Sequence, residues 1–292
     1  MKGKLLASSL VTMALWGLLF PLVKMGFSAC GVTDAADILL FAGVRFVLCG
    51  GVICLLAVGK DRASFRPAGG ALGQILLSGL FAIVLHYGFS YLGLGATASA
   101  KTALLKQAGP VLYVCLSFLF FREDRPTPQK LCAAGLGLLG VLALNMTRTG
   151  FSFSLWDLLI LASSLCTVAS NVISKRLFAR VEPVTATGIA QLFGGGVLLA
   201  VGWLLGGRVR FVPEKLWIMA AICAASVVSY LLWYGVVKKG ELSRLFLVKF
   251  AEPVFACVFG ALLLGEELWK VQYLLAFGLI GGAVWLANCR QR

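Results

Sequence analysis

Charge is scarce in this chain, and acidic charge is scarcest. Of 292 residues, 13% are charged, with 12 acidic side chains against 26 basic and a single histidine. Soluble domains carry roughly twice that share of charge. With 60% of residues hydrophobic and a mean hydropathy of +0.94, a water-facing globule could not cover its own apolar surface. That excludes a soluble fold and leaves lipid as the solvent. One histidine and no Cys-X-X-Cys pair leave nothing to build a zinc centre. The 9 cysteines offer no disulfide framework: Cys49, Cys54, Cys115, Cys132, Cys166, Cys223 and Cys257 lie inside apolar runs, where cysteine acts as a small hydrophobe. No Ser-His-Asp set, acidic pair or metal cluster stands out, so the sequence reads as no enzyme and calls for no cofactor. The net charge of +14 would suit nucleic acid in a soluble protein. Here Lys and Arg fall between apolar runs, where they set membrane orientation, and nucleic acid is set aside.

What is present is a succession of apolar runs. They predict helices at about 5–28, 36–58, 70–93, 98–121, 129–146, 154–177, 184–205, 213–237, 242–265 and 268–289, near the length of about 20 residues that a span needs. The first resembles a signal peptide, but Pro21 and Lys24 interrupt it and further spans follow, so an uncleaved helix is expected. An N-terminus in the cytoplasm puts Lys60, Arg62, Arg66, Arg122, Arg125, Lys130, Lys175, Arg176, Arg180, Lys238, Lys239 and Arg244 on the inner side. Far fewer basic residues fall outside. The expectation is a multi-pass protein of the cytoplasmic membrane with both termini inside. Trp156, Trp203, Trp217 and Trp269 fall near helix ends, as an interfacial belt requires.

The strongest pattern is an internal repeat. A shift of 143 residues lays Lys106 on Lys249, Pro110 on Pro253, Glu123 on Glu266, Gln129 on Gln272, Asn145 on Asn288, Tyr87 on Tyr230 and Tyr91 on Tyr234. Upstream, a shift of 145 lays Gly43, Gly50 and Gly51 on Gly188, Gly195 and Gly196. Chance likeness of apolar helices would not align Lys, Pro, Glu, Gln, Asn and Tyr together. Five helices per repeat is odd, so the second copy enters from the opposite side. The loop charges agree: Arg122, Arg125 and Lys130 stand where the mate loop has Glu266 and Glu267 with only Lys270. The predicted fold is an all-α integral membrane bundle of ten transmembrane helices, in two inverted five-helix repeats at 1–146 and 147–292.

Several residues carry a family resemblance: Trp16-Gly17 with Phe20, Arg45-Phe46, Asp157-Leu158-Leu159, and Glu252-Pro253-Val254-Phe255-Ala256 running to Leu264-Gly265-Glu266-Glu267. On these the chain resembles the drug/metabolite transporter superfamily in its EamA-type branch, over nearly its whole length. The first half departs from the pattern, with Phe121-Arg122-Glu123 in place of Leu-Gly-Glu. The resemblance implies a central cavity lined by helices of both repeats and transport, often export, of a small metabolite.

Lys106 and Lys249 are the leading candidates. Each lies about eight residues into its helix, roughly 12 Å deep at 1.5 Å per residue. A lysine stem does not easily reach the interface from there. Four residues on stand Pro110 and Pro253, which cannot donate the helical bond to the lysine carbonyls. Both helices should bend, and both carbonyls need new partners. The lysines either bind an anionic group or pair structurally with a carboxylate. Glu252 shares a helical face with Lys249 at a spacing of three and is either its ion partner or a proton carrier. His86 is a second proton-coupling or substrate-binding candidate, or a hydrogen-bonded packing residue. Arg45 either binds an anion or ties the bundle. Tyr87, Tyr230 and Trp16, with Tyr91, Tyr234 and Trp233, line the path or pack, and Gln107, Asn171 and Ser229 are polar in mid-helix. Gly135-Leu-Gly137-Leu-Leu-Gly140 spells a dinucleotide-loop pattern but sits within a helix, where it predicts close packing, as do Gly278 and Gly282, against each other's helix or a second copy in a homodimer. Asn145-Met-Thr147 matches a glycosylation sequon.

The expected function is secondary transport of a small polar, anionic or zwitterionic metabolite by alternating access, with membrane lipid as surroundings and proton coupling open. The alternatives are organophosphate or nucleotide-sugar exchange, and then a membrane scaffold or channel.

Overall fold

A backbone in lipid must satisfy its own polar groups, and a helix does so within one segment. The computed structural model, which describes residues 3–60, 70–96, 105–144, 154–265 and 271–289, is helical throughout and holds no strand among the described residues. In chain order the helices are α1 Gly3–Cys30, α2 Ala35–Lys60, α3 Ala71–Gly79, α4 His86–Ala96, α5 Ala108–Leu116, α6 Pro128–Leu144, α7 Leu155–Leu177, α8 Pro183–Leu204, α9 Leu216–Lys239, α10 Leu242–Val248, α11 Ala251–Leu264 and α12 Val271–Asn288. A π-helical turn, Leu80–Leu85, joins α3 to α4, so that they form one rod.

Among the described residues, seven helical stretches are long and apolar enough to cross a membrane: Gly3–Cys30, Ala35–Lys60, Ala71–Gly93, Leu155–Leu177, Pro183–Leu204, Pro213–Lys239 and Leu242–Leu264. Three shorter apolar stretches, Ala108–Leu119, Pro128–Ala143 and Leu274–Asn288, fall where the sequence predicts the other spans. Lys2, Arg62, Arg66, Lys101, Arg148, Glu266, Glu267, Trp269, Lys270 and the Asn145-Met-Thr147 sequon lie outside the described residues. The outward surface is apolar: Leu204 is 75% exposed, Leu55 73% and Leu262 72%, which only lipid can cover.

Glycine sets how closely the helices approach. α2 lies along α8, and a Cβ on Gly43 would stand 2.3 Å from Leu199 N, one on Gly50 2.5 Å from Leu192 N, and one on Gly195 2.6 Å from Val47 N. A Cβ on Gly188 would stand 2.7 Å from Cys54 Sγ. Gly43 with Gly188 and Gly50 with Gly195 are the repeat mates, and each pair serves the same crossing. Gly51 and Gly196 face open space. Without a hydrophobic drive inside lipid, such backbone contact is what holds helices together. α1 packs against α9 and α11, with Gly17 against Phe255 and Ala256.

α6 packs along α12, where Gly140 meets Ile280, while Gly137 meets Phe250 between α10 and α11. Gly278 and Gly282 do not make this contact: nothing lies within 4 Å of a Cβ built on either. At 100° per residue they face away from Ile280, which fills the seam instead.

Candidate functional site

The two lysines mark the two places where a long apolar helix breaks. Ahead of α5 the chain turns at Gln107, and α10 stops at Val248 before α11 restarts at Ala251. The carbonyl of Lys106, freed by Pro110, accepts a hydrogen bond from Ser164 Oγ of α7 at 2.6 Å. The same hydroxyl accepts from Gly109 N–H at 2.8 Å, so one serine closes the break from both sides. The break after Lys249 closes within its own chain: Glu252 N–H donates to Lys249 O at 3.0 Å and Lys249 N–H to Phe246 O at 3.1 Å, a tighter turn than an α-helix.

Neither lysine finds a carboxylate within ion-pair distance among the described residues. Their ammonium groups face rings instead. Lys249 Nζ lies 4.8 Å from the Trp16 ring centre, 5.4 Å from Trp233 and 5.9 Å from Phe246, and Lys106 Nζ lies 5.6 Å from Phe20. Glu252 stays within electrostatic reach of both lysines without touching either. Of the two roles open to Glu252, the ion pair with Lys249 does not form within salt-bridge distance among the described residues, although a turn closed by i→i+3 bonds leaves residues three apart on one face.

Around the lysines runs a ridge of aromatic residues. Tyr87 and Tyr230, which the repeat sets 143 residues apart, meet hydroxyl to hydroxyl at 2.9 Å. Trp16 packs on Trp233 at 5.1 Å and edge-on to Tyr230 at 6.1 Å. Tyr87 packs on Tyr91 at 5.4 Å, and Tyr230 on Tyr234 at 6.0 Å, as their spacing of four predicts. Trp233 is held from behind: its indole N–H donates to Asn171 Oδ1 at 2.7 Å, and Asn171 Nδ2 donates to Thr167 O at 2.7 Å.

Arg45 lies at the other end of this ridge and is 1% exposed. Its guanidinium donates to Ser226 Oγ at 3.0 and 3.2 Å and to Tyr91 Oη at 3.2 Å, and stands 4.9 Å from the Phe46 ring centre. Its recorded partners are neutral hydroxyls and rings, which makes it a buried cation with no counter-charge among the described residues. His86 Nδ1 lies 2.9 Å from both Ser163 O and Thr167 Oγ1. A carbonyl only accepts, so Nδ1 carries the hydrogen in that bond.

Several polar atoms at the centre are left over. Gln107 is 6% exposed and its Oε1 has no hydrogen bond, and neither does Trp16 Nε1. Lys106, Lys249, His86, Tyr87 and Glu252 all keep some accessible surface. Buried polar groups in native proteins are otherwise paired. The sequence alone does not single out Ser164, Thr167, Ser226 and Phe246, and it marks Phe20 only through the family resemblance. A serine or threonine in a helix ordinarily bonds its own backbone, so nothing local marks those that cross to another helix.

A lipid-facing helical bundle whose interior holds unpaired charge on broken helices is the build of a multi-span transport protein. The family model of the EamA-like transporter family matches residues 1–146 and again 154–288, and the chain belongs to that family. It is similar to an uncharacterized transporter of Synechocystis, at 28% identity over 95% of this chain and 88% of that one. It is also similar to the S-adenosylmethionine/S-adenosylhomocysteine transporter of Chlamydia muridarum, at 26% identity over 80% of this chain and 78% of that one. A solved crystal structure superposes with a TM-score of 0.81 over 99% of this chain and 97% of that one, at 21% identity, and so shares the fold.

Proposed function

We propose that this protein is a secondary active transporter, and not an enzyme, that carries a small zwitterionic or anionic metabolite across the cytoplasmic membrane, outward, by alternating access. The chain would form ten spans in two inverted halves, 1–146 and 147–292, with both termini in the cytoplasm. Lys106 and Lys249, at mated breaks, are the groups that take the substrate's anionic end. The observation that carries this reading is that both ammonium groups lie deep among apolar helices with no carboxylate of the described residues within ion-pair distance. An uncompensated intramembrane cation is costly, and a site that must release its ligand has reason to keep one. Gln107 Oε1 and Trp16 Nε1, both unpaired, add an acceptor and a donor.

Glu252 and His86 are the candidate proton carriers, and Arg45 with Tyr87 and Tyr230 forms the polar wall between the halves. The Chlamydia relative's named substrates both carry an amino-acid head, which is the chemistry two lysines and one glutamate would accept. Uptake into proteoliposomes tests the reading. Lys106→Ala and Lys249→Ala should each abolish saturable transport while the protein still elutes as a single folded species. Normal transport in both variants would remove the lysines from the site. The buried Arg45, which has no counter-charge among the described residues, also favours a second reading, organophosphate or nucleotide-sugar exchange; counterflow by sugar phosphates, absent with amino acids, would select it.

A further inference from the structure

We propose that Trp16, Trp233 and Phe246 form a receptor for the cationic group of the substrate, and that the Lys249 ammonium occupies it in the resting protein. This rests on the transport reading above and narrows it to zwitterions whose positive group is poorly hydrated, such as a methylated ammonium or a sulfonium.

The ammonium of Lys249 lies 4.8, 5.4 and 5.9 Å from three ring centres, within the range of about 6 Å over which a ring face attracts a cation. No carboxylate or hydrogen-bond acceptor competes for it among the described residues. The rings are set in advance. Trp233 is 1% exposed and tied through Asn171 to Thr167, and Trp16 is wedged between Trp233 and Tyr230. A ring face does not distinguish a lysine from any other cation of that size. It favours the one that gives up less water, which an alkylated cation does. Lysine is a flexible tether and leaves the cage by side-chain rotation alone. A zwitterion supplies the reason to leave, because its cation takes the cage while its carboxylate receives Lys249. Glu252, within electrostatic reach of both lysines, balances the crowded positive charge during the exchange. A purely anionic substrate would leave the lysine caged and half the site unused.

The test uses the purified full chain in lipid nanodiscs, with glycine betaine, tetramethylammonium and acetate as calorimetric probes. Betaine should bind better than either fragment. Lys249→Ala vacates the cage, so tetramethylammonium should bind about tenfold tighter than to the parent. Adding Trp16→Leu should abolish that gain. The proposal is overturned if Lys249→Ala gains no affinity for tetramethylammonium, or keeps the gain without Trp16. If Lys249→Ala does not fold, Trp16→Leu alone decides: it must lose betaine binding and keep acetate binding, and loss of neither or of both refutes the cage. Lysine variants that lose transport while the cage tests fail would leave the transport reading intact and refute only this one.

Discussion

Replacing Asp124 by asparagine should loosen the whole bundle, although the change removes only charge. Asp124 stands in the turn before α6, 2% exposed, beside Lys130, which is 3% exposed. Its Oδ1 accepts from Lys130 Nζ at 2.9 Å and from Ser243 Oγ, and its Oδ2 accepts from Ser243 N–H at 3.0 Å and Tyr113 O–H at 3.1 Å. Lys130 also pairs with Glu241, which Arg244 holds at 2.7 Å. The knot therefore joins the 121–130 turn to the 240–244 turn, and α10 runs from it straight to Lys249. All four partners of Asp124 donate. An asparagine amide must point its NH2 at one side, and each side holds a donor that cannot turn round, the Ser243 N–H or the Lys130 ammonium. Losing one charge-assisted bond and half of a buried pair costs about 3 kcal/mol. For a chain of 292 residues that lowers the melting temperature by roughly 5 °C.

The pH dependence checks the cause. Burial pushes the Asp124 carboxyl up, but the bonds from Ser243 and Lys130 outweigh it and hold the group below the ordinary carboxylate value. A group lowered in the folded state stabilises fully above its unfolded pKa, about 3.9 for aspartate, and loses that contribution as the pH falls through the folded value. The gap between parent and Asp124→Asn should thus be full at pH 7 and shrink as the pH drops below about 4. Melting followed by tryptophan emission in detergent reads both. A gap under about 1 kcal/mol at neutral pH, or one that persists unchanged in acid, would refute the argument.

Gly43→Ala puts a methyl 2.3 Å from the Leu199 backbone, which cannot yield, and should cost about 1–3 kcal/mol, whereas Gly51→Ala meets nothing within 4 Å and should be neutral; equal melting temperatures would contradict the α2–α8 packing. Ser164→Ala strips Lys106 O and Gly109 N–H of their shared partner, and should cost about 1–3 kcal/mol and slow transport, with hydrogen exchange rising at Gly109. Unchanged exchange at Gly109 would mean that the break closes some other way.

What the sequence made legible follows the range of the physics. Proline acts on the carbonyl four residues back, so the breaks at Lys106 and Lys249 can be read from the chain alone. The same holds for the ring pairs Tyr87–Tyr91 and Tyr230–Tyr234, which a regular helix sets on one face. The repeat goes further and names mates that lie far apart, and the Gly43–Gly188 and Gly50–Gly195 pairs serve one crossing as mates should. Closure of the Lys106 break by Ser164 depends on how two helices dock, and no local pattern encodes it. Lys249 and Glu252 show where a rule of this kind stops. Three residues apart and joined by an i→i+3 hydrogen bond, they keep a common face, and the spacing alone allows either an ion pair or a separate Glu252. A spacing fixes the side of the backbone a residue leaves from, but not where a long side chain ends. The Lys249 ammonium ends near the rings of Trp16 and Trp233, and Glu252 has no cation within ion-pair distance among the described residues. Those rings come from α1 and α9, whose docking no local pattern encodes, and a charge held away from its partner is available to a ligand.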